Sequence, residues 1–504
     1  MSDIAAFFRL TGAGWRLVRA DALLPREIDP YLSGGVLLTA RTLRLFSGRA
    51  ARNGRPGQRL ARALEGLGPA AIKMGQLLST RSDIFGEVFT TDLSHLKDAL
   101  EPFPLSVARA EIERSLGRPP EQIFTSIDPP IAAASIAQAH PAVLLDGRKV
   151  AVKVLRPGIE ARIARDAQAV TLAARLADRH IRPARRLEPI ALADTVIRSL
   201  QLETDLRLEA GGADELKAVM ARDGLMSAPA VVWENVSRRV MVLEWAGGLP
   251  LSDPASMSAP DVDRHSTAIN LIRAFLAQAL DHGVFHADLH EGNLFLDAPD
   301  KLIAVDFGII GRIGPNERRY LAEILWGFIT RDYLRVAKAH FEAGYVPKEQ
   351  SLELFAQALR SVGEPVIGRA ADSVSMGRLL TQLFEITALF DMHLRPELVL
   401  LQKTMVAVEG VARRLHPDLD LWAAAKPIVE RYIARELSPI ARARGYLDEI
   451  VAAARAIVRL AEKEPAPTVI VQPRRAGEAA IWFAMGAALA GLIILATAAF
   501  VWRL

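Results

Sequence analysis

Apolar residues recur at helical spacing through roughly the first 120 positions, then switch to alternation. Residues 1–60 read as helical segments broken at Gly34-Gly35 and at Asn53-Gly54-Arg55-Pro56-Gly57. A helical pattern runs from Leu60 to about Leu78, interrupted where Pro69 follows Gly68. Proline suits the first turn of a new helix there, because its missing N–H would have no partner anyway. A further run, Ser106–Leu116, stops at Gly117-Arg118-Pro119-Pro120. Pro141–Leu155 then reads PAVLLDGRKVAVKVL, two apolar runs about Asp146-Gly147, which is a hairpin signal. On the second run Val150, Val152 and Val154 face one way, and Ala151 and Lys153 face the other. Residues 159–222 return to charged helical patterning. The apolar run at 240–245 reads as a buried, hinge-like strand closed by Gly247-Gly248. From Asp261 onward the pattern is mainly helical, apart from short strands near 294–296 and 302–305 about a turn at 297–300.

Composition narrows the class. With 504 residues, 51% of them hydrophobic, the chain can bury a large core and build more than one lobe. It has no cysteine, which excludes disulfides and thiolate metal sites. A net charge of +4 is too small to imply nucleic-acid binding. Its distribution says more: residues 1–62 hold eleven Arg against Asp3, Asp21, Glu27 and Asp29. Two readings stand, a surface lying against anionic lipid and a solvated Arg-rich helical face. No secretory signal is evident in the first thirty residues. At the other end, 479–502 carries no charge, and as a helix its length of roughly 36 Å would cross a bilayer core. Trp482 and Trp502 stand near its ends, and Arg474 and Arg475 precede it against a single Arg503 after it. The expectation is one C-terminal transmembrane helix with the bulk of the chain in the cytoplasm.

The chemistry is concentrated between His286 and Gly308, HADLHEGNLFLDAPDKLIAVDFG. His286, Asp288 and Asn293 have the spacing of a phosphotransferase catalytic loop, and Asp306-Phe307-Gly308 follows thirteen residues after Asn293. Asp-Phe-Gly alone is a weak signal; the joint spacing with a hairpin between is strong. Asp306 and Asn293 offer hard oxygen atoms for Mg²⁺. Asp288 would act as base or position a water. Lys153, on a half-buried strand, needs a partner or a phosphate. Ala151, on its face, offers a small surface to an adenine ring. Glu209 is the favoured partner of Lys153, although the pairs Glu203/Arg207 and Asp205/Glu209 would also fit one solvated helix face. A Gly-rich nucleotide loop is missing. Its place is taken by Ala132-Ala133-Ala134-Ser135-Ile136-Ala137-Gln138-Ala139-His140, stiffer than glycine and, by itself, a small-residue helix start. Ala132, Ala133, Ala134, Ser135, Ala137 and Gln138 are assigned with Ala151, Lys153, Glu209 and Glu244 to the nucleotide. On a helix well before this loop, Lys73 and Gln76 share a face and Gly75 permits close packing; in isolation they read as surface residues. The order of elements is an α+β, protein-kinase-like bilobal layout with a small mixed α/β N-lobe and a helical C-lobe.

The segments LGPAAIKMGQLLSTRSD, AAASIAQAH, VAVKV, ETDLRLEA, HADLHEGN and VDFG occur in this order, and EGVARRL lies further on. In this the chain resembles the UbiB family of atypical kinases, bacterial relatives of the mitochondrial coenzyme Q chaperone kinases, from about Leu60 to about Asp420. The resemblance implies ATP and Mg²⁺ as cofactors and a role in ubiquinone biosynthesis at the bacterial inner membrane. Quinone precursors, anionic lipid and biosynthetic enzymes are the implied partners, with a homodimer also open. It implies as well that the helix carrying Lys73, Gly75 and Gln76 folds over the protein-substrate site, that Lys73 and Gln76 join the catalytic set, and that Glu203 meets Lys73. ATP hydrolysis is then expected in place of protein phosphorylation in trans. Two departures stand out: Gly212 takes the place of an Asn, and one C-terminal hydrophobic segment is found where relatives often have two. The expected organisation is a basic helical region (1–59), the KxGQ extension (60–120), the N-lobe (121–248), the C-lobe (249–461), a linker (462–478) and the membrane helix (479–502). Competing readings are a small-molecule or lipid kinase of the aminoglycoside or choline type, which lacks the KxGQ helix, and a nucleotide-binding scaffold.

Overall fold

In the computed structural model the described residues are 2–436, less 23–33, 49–53, 80–85, 95, 97–100, 181–187, 259–260, 298, 366–385, 387–388 and 393–395. The chain divides into two units, Met1–Ser438 and Pro439–Leu504, and the second lies outside the described residues.

The alternating pattern at 141–155 folds as read. Strands β3 (Ala137–Leu144) and β4 (Lys149–Leu155) form an antiparallel hairpin whose turn is tied by Asp146 Oδ1, accepting from the Arg148 N–H at 2.9 Å. Val150, Val152 and Val154 are fully buried with Phe124 and Val242. This is the hydrophobic payoff that fixes the register, since a slip of one residue would expose all three. Around the hairpin stand β1 (Phe124–Ile127), β2 (Ala132–Ala133) and β5 (Val240–Glu244), in the order β1-β3-β4-β5 with β2 on β3. The Ala-rich segment therefore makes a β-hairpin and not a helix start. Alanine's helix propensity is overridden because Ala132 and Ala133 find ladder partners in Ala139 and Gln138.

The charged stretch at 203–209 straddles two helices. Pro189–Glu203 ends at Thr204, and Asp205 caps Leu206–Asp223 by accepting from the Arg207 N–H at 3.2 Å. Glu203 and Glu209 thus leave different helices, which removes the single solvated face from consideration.

The second lobe is built on Arg264–Ala277, whose Ala268, Leu271 and Phe275 share a core with Val408 and Ala412 of Pro396–Leu415 and Val429 of Leu421–Glu436. Two small sheets cap it: β6 (Leu249–Pro250), β8 (Leu294–Asp297) and β9 (Lys301–Ala304), and the pair β7 (Val284–His286) with β10 (Ile310–Arg312).

Pro69 opens the helix Pro69–Leu78, as its position after Gly68 predicts. Ala70, Met74 and Leu77 of this helix pack into the N-lobe with Ile136, Leu155 and Leu206. A Cβ at Gly75 would lie 2.3 Å from Leu96 Cδ1 and 2.7 Å from Leu64 Cδ1, so the close approach requires glycine. Part of the Arg-rich N-terminal region is folded inward: Arg44 and Arg59 each approach the buried Asp21 carboxylate at 3.8 Å.

The membrane expectation needs correction. No helix among the described residues is long and apolar enough to cross a bilayer. The helix Ile159–His180, at 22 residues, has the length but carries Arg162, Arg165, Asp166, Arg175, Asp178 and Arg179. Segment 479–502, on which the expectation rested, lies outside the described residues, as does the linker 462–478. The fold is therefore kinase-like without a transmembrane helix among the described residues, and the single-pass anchor from which the inner-membrane localisation was drawn is not supported.

His340 gives this fold a pH signature. It is buried on the helix Tyr333–Glu342 beside the Phe355 ring, with Nδ1 2.8 Å from the Val336 carbonyl. Burial pushes its pKa down from 6.5 to about 4. The unfolded chain therefore binds this proton first. The stabilisation is full above about pH 6.5 and is lost as pH falls towards 4, by roughly 3 kcal/mol. Denaturant unfolding at neutral and mildly acid pH should show a smaller acid loss for His340→Gln than for wild type. An identical loss in both would remove His340 as its source.

Candidate active site

Strand β4 aims Lys153 by burying the valines on either side of it. Its ammonium lies 2.6 Å from Glu209 Oε1 and 3.4 Å from Asp306 Oδ1. Burial alone would lower the Lys153 pKa, but the charges of Asp306 and Glu209 outweigh it and hold the group above its ordinary value. Lys153 in turn draws the Asp306 carboxyl below the usual range. Glu209 is pushed up by its own burial against the pull of Lys153.

Asp306 adopts a left-handed backbone, φ +61°, a costly conformation for a residue with a side chain. Its neighbours hold it there. Phe307 is buried with its ring 5.5 Å from that of His286, and the Gly308 N–H donates to Asp306 Oδ1 at 3.3 Å. His286, fully buried, sits 3.1 Å from the Val305 carbonyl through Nε2 and accepts the Asp288 N–H at Nδ1, 3.2 Å. Accepting at Nδ1 and donating at Nε2 is the pattern of one neutral tautomer, and burial lowers the pKa of this ring. One imidazole thus fastens the loop around Asp288 to the strand end before Asp306.

Asn293 donates from Nδ2 to the Asp288 carbonyl at 3.1 Å, which leaves its amide oxygen as the atom that can meet a cation. The Val305 N–H donates to the Asn293 carbonyl at 2.9 Å, so β8 and β9 bring Asn293 and Asp306 together at one end of their hairpin. An ionised carboxylate and an amide oxygen are the hard donors that Mg²⁺ prefers, and the pair fits that ion. Among the described residues no group of three or more His, Asp or Glu converges on a metal position.

The β2–β3 hairpin turns at Ala134, whose N–H donates to the Ala137 carbonyl at 2.8 Å. Ser135, Ile136 and Ala137 are buried, and Ala132 is exposed. Ala151 is half-buried on the Lys153 face of β4. Two residues assigned to the nucleotide point elsewhere. The Gln138 amide bonds both the N–H and the carbonyl of Phe103, at 3.0 and 3.1 Å. The Glu244 side chain reaches Arg148 at 3.4 Å on the exposed edge, and its N–H donates to the Ala230 carbonyl. In each case a nearer polar partner holds the side chain.

Lys73 forms a close ion pair with Glu203, whose Oε1 also accepts from Ser199 Oγ at 3.2 Å. Gln76 lies one turn further along the same helix, half-buried. Two supports escaped the sequence reading. Arg312 pairs bidentately with Glu215 (Nη1 to Oε1, 2.8 Å), joining the segment after Asp306 to the helix of Glu209. Buried Thr404 donates to the Ala287 carbonyl at 2.9 Å, fixing the loop of Asp288 from the helix Pro396–Leu415. A polar residue on an otherwise apolar helix face was the only hint of it.

Residues 95–340 match the ABC1 atypical kinase-like domain, and residues 359–420 match the UbiB helical domain. "Probable protein kinase UbiB" of Marinobacter nauticus is 39% identical over 388 residues, covering 76% of this chain and 71% of that protein. The protein of the same name from Cellvibrio japonicus is 37% identical over 428 residues, covering 84% and 76%. Among solved structures, the Rv3197–erythromycin complex from Mycobacterium tuberculosis has a TM-score of 0.50 at 22% identity, covering 78% of this chain and 98% of that one, a likeness of fold alone. With both domains matched and relatives of this identity aligned over most of their length, the chain belongs to the UbiB family of atypical kinases.

Proposed function

We propose that this UbiB-family chain binds Mg-ATP around Lys153 and Asp306 and hydrolyses it in support of ubiquinone biosynthesis, rather than phosphorylating proteins in trans. The observation that carries the reading is a double pairing: Lys153 is held by Glu209 and Asp306, while Lys73 of the extension helix is tied to Glu203. The first pair assembles a phosphotransfer site, and the second docks onto it a helix that small-molecule kinases of this fold lack. Apolar quinone precursors, and the enzymes that modify them, are the proposed partners.

In this reading Lys153 binds the α- and β-phosphates, and the turn at Ala134–Ala137 lies over them. Asn293 and Asp306 would hold Mg²⁺, which when bound supplies positive charge to the phosphates. Asp288, with its carboxylate partly exposed and His290 Nε2 3.6 Å away, orients water and accepts its proton as the water oxygen bonds to the γ-phosphorus and ADP departs. His286 keeps the loop in register by staying neutral.

Asp306→Asn and Lys153→Ala should each reduce ATP hydrolysis by roughly a hundredfold or more, since each removes charge stabilisation worth several kcal/mol. Phenolic precursor mimics should raise the wild-type rate. A wild-type rate matching both variants would make the chain a scaffold. Deletion of the gene in its native host should lower ubiquinone and accumulate a precursor; unchanged quinones would sink the biosynthetic role.

Lys73→Ala should loosen the extension helix and allow self-phosphorylation with Mg-ATP, read by mass spectrometry of the intact protein. No incorporated phosphate in a folded variant would argue against a guarding role for that helix.

A further inference from the structure

The Ala-rich turn has no glycine, yet a loop that grips phosphates must be held at a defined height. Two groups that do not belong to the cleft hold it. Gln138 is 2% exposed and grips the Phe103 backbone on both sides, accepting the N–H at 3.0 Å and donating to the carbonyl at 3.1 Å. An amide paired so with a peptide group acts as one more rung of a sheet, and it joins β3 to the segment that leads from the extension into the lobe. Gln138 Nε2 also lies 2.8 Å from His140 Nε2, and His140 Nδ1 lies 2.9 Å from the Asp128 carbonyl, so the amide orientation is fixed from behind. On the other side of the turn Arg156 donates from Nε to the Ala134 carbonyl at 2.7 Å and from its N–H to the Ile136 carbonyl at 2.8 Å. Its guanidinium lies 5.7 Å from the centre of the Phe103 ring. Phe103 is therefore gripped by its backbone from Gln138 and by its ring from Arg156, and both of those residues hold the turn.

We propose that Gln138 and Arg156 are positioning residues for a nucleotide's phosphates, with Phe103 as their common platform. The proposal rests on the reading of the cleft as a Mg-ATP site. The clamp touches no nucleotide. It replaces the adaptability of a glycine loop with a fixed turn, so its loss should weaken the hold on phosphate and leave the hold on the base alone. The segment at Phe103 is chain-continuous with the Lys73 extension, and Ile136 of the turn packs in one cluster with Ala70 and Met74. The extension thus sets the loop position from two directions.

The test uses the full-length protein as wild type, Gln138→Met, Phe103→Ala and Phe103→Tyr. Binding of Mg-ATP and of adenosine is measured by calorimetry, with kcat and KM for ATP hydrolysis. Gln138→Met keeps the side-chain volume and removes both hydrogen bonds to Phe103; Phe103→Ala removes only the platform under Arg156. Each should weaken Mg-ATP about tenfold, the scale expected from losing one or two buried hydrogen bonds in Gln138→Met and the cation–π contact in Phe103→Ala, and leave adenosine unchanged. KM should rise by more than kcat falls, and Phe103→Tyr, which keeps the ring, should behave as wild type. Equal weakening of Mg-ATP and adenosine, or unchanged Mg-ATP affinity in a folded variant, overturns the clamp. A wild-type protein that binds adenosine or nothing, but never Mg-ATP, overturns the reading beneath it instead.

Discussion

The site is organised around a cation on a half-buried strand. Lys153 cannot be withdrawn from water without compensation, because an unpaired buried ammonium costs several kcal/mol or gives up its proton. Its compensation comes from two carboxylates that arrive from different parts of the chain, Glu209 from a helix of the first lobe and Asp306 from the end of β9. One charge therefore ties the N-lobe sheet, the helix packed on it and the strand end that carries Asp306 into a single arrangement. Burial raises the Glu209 pKa, and the charges of Asp306 and Glu209 keep Lys153 protonated.

The rest of the cleft answers the strain that this arrangement creates. Asp306 turns towards Lys153 only by taking a left-handed backbone, which costs of order 1–3 kcal/mol and persists where its surroundings enforce it. His286 supplies much of that enforcement by bonding to Val305 on one side and Asp288 on the other. A protonated imidazole could not accept the Asp288 N–H, so the lowered pKa of this ring and the geometry of the loop are one requirement. Thr404 reaches the same loop from behind, which gives the second matched domain a direct mechanical link to the segment of Asp288.

Much of this was legible in the sequence because it was written in periodicity and spacing. Val150, Val152 and Val154 declared a strand with Lys153 on its other face, and the intervals between His286, Asp288, Asn293 and Asp306 declared the loop. The segment at 203–209 was ambiguous because a helix break leaves little trace in charge spacing; it took the cap at Asp205 to separate Glu203 from Glu209. The Ala-rich segment was legible as the stand-in for a Gly-rich loop, but its hairpin was not. Alanine favours a helix locally, and the strands that draw it into a hairpin are specified by residues elsewhere. For Gln138 and Glu244, sequence position could not say which polar partner holds the side chain, Phe103 for one and Arg148 for the other.

The departure at Gly212 takes on meaning in this light. A Cβ there would stand 2.3 Å from Ile310 Cδ1, so the bare backbone lets the segment after Asp306 lie directly on the helix Leu206–Asp223. Residues three apart share a helix face. Along that face Glu209 meets Lys153, Gly212 makes room for Ile310, and Glu215 meets Arg312. A polar side chain at the middle position could offer a hydrogen bond, but it would hold the segment further off. Glycine trades that bond for proximity, and the ion pair at Glu215 and Arg312 supplies the attachment at the next position. Steric closeness in the middle and charge at both ends hold helix and strand end in one register, so the position of Glu209 relative to Asp306 is set with no side chain at residue 212.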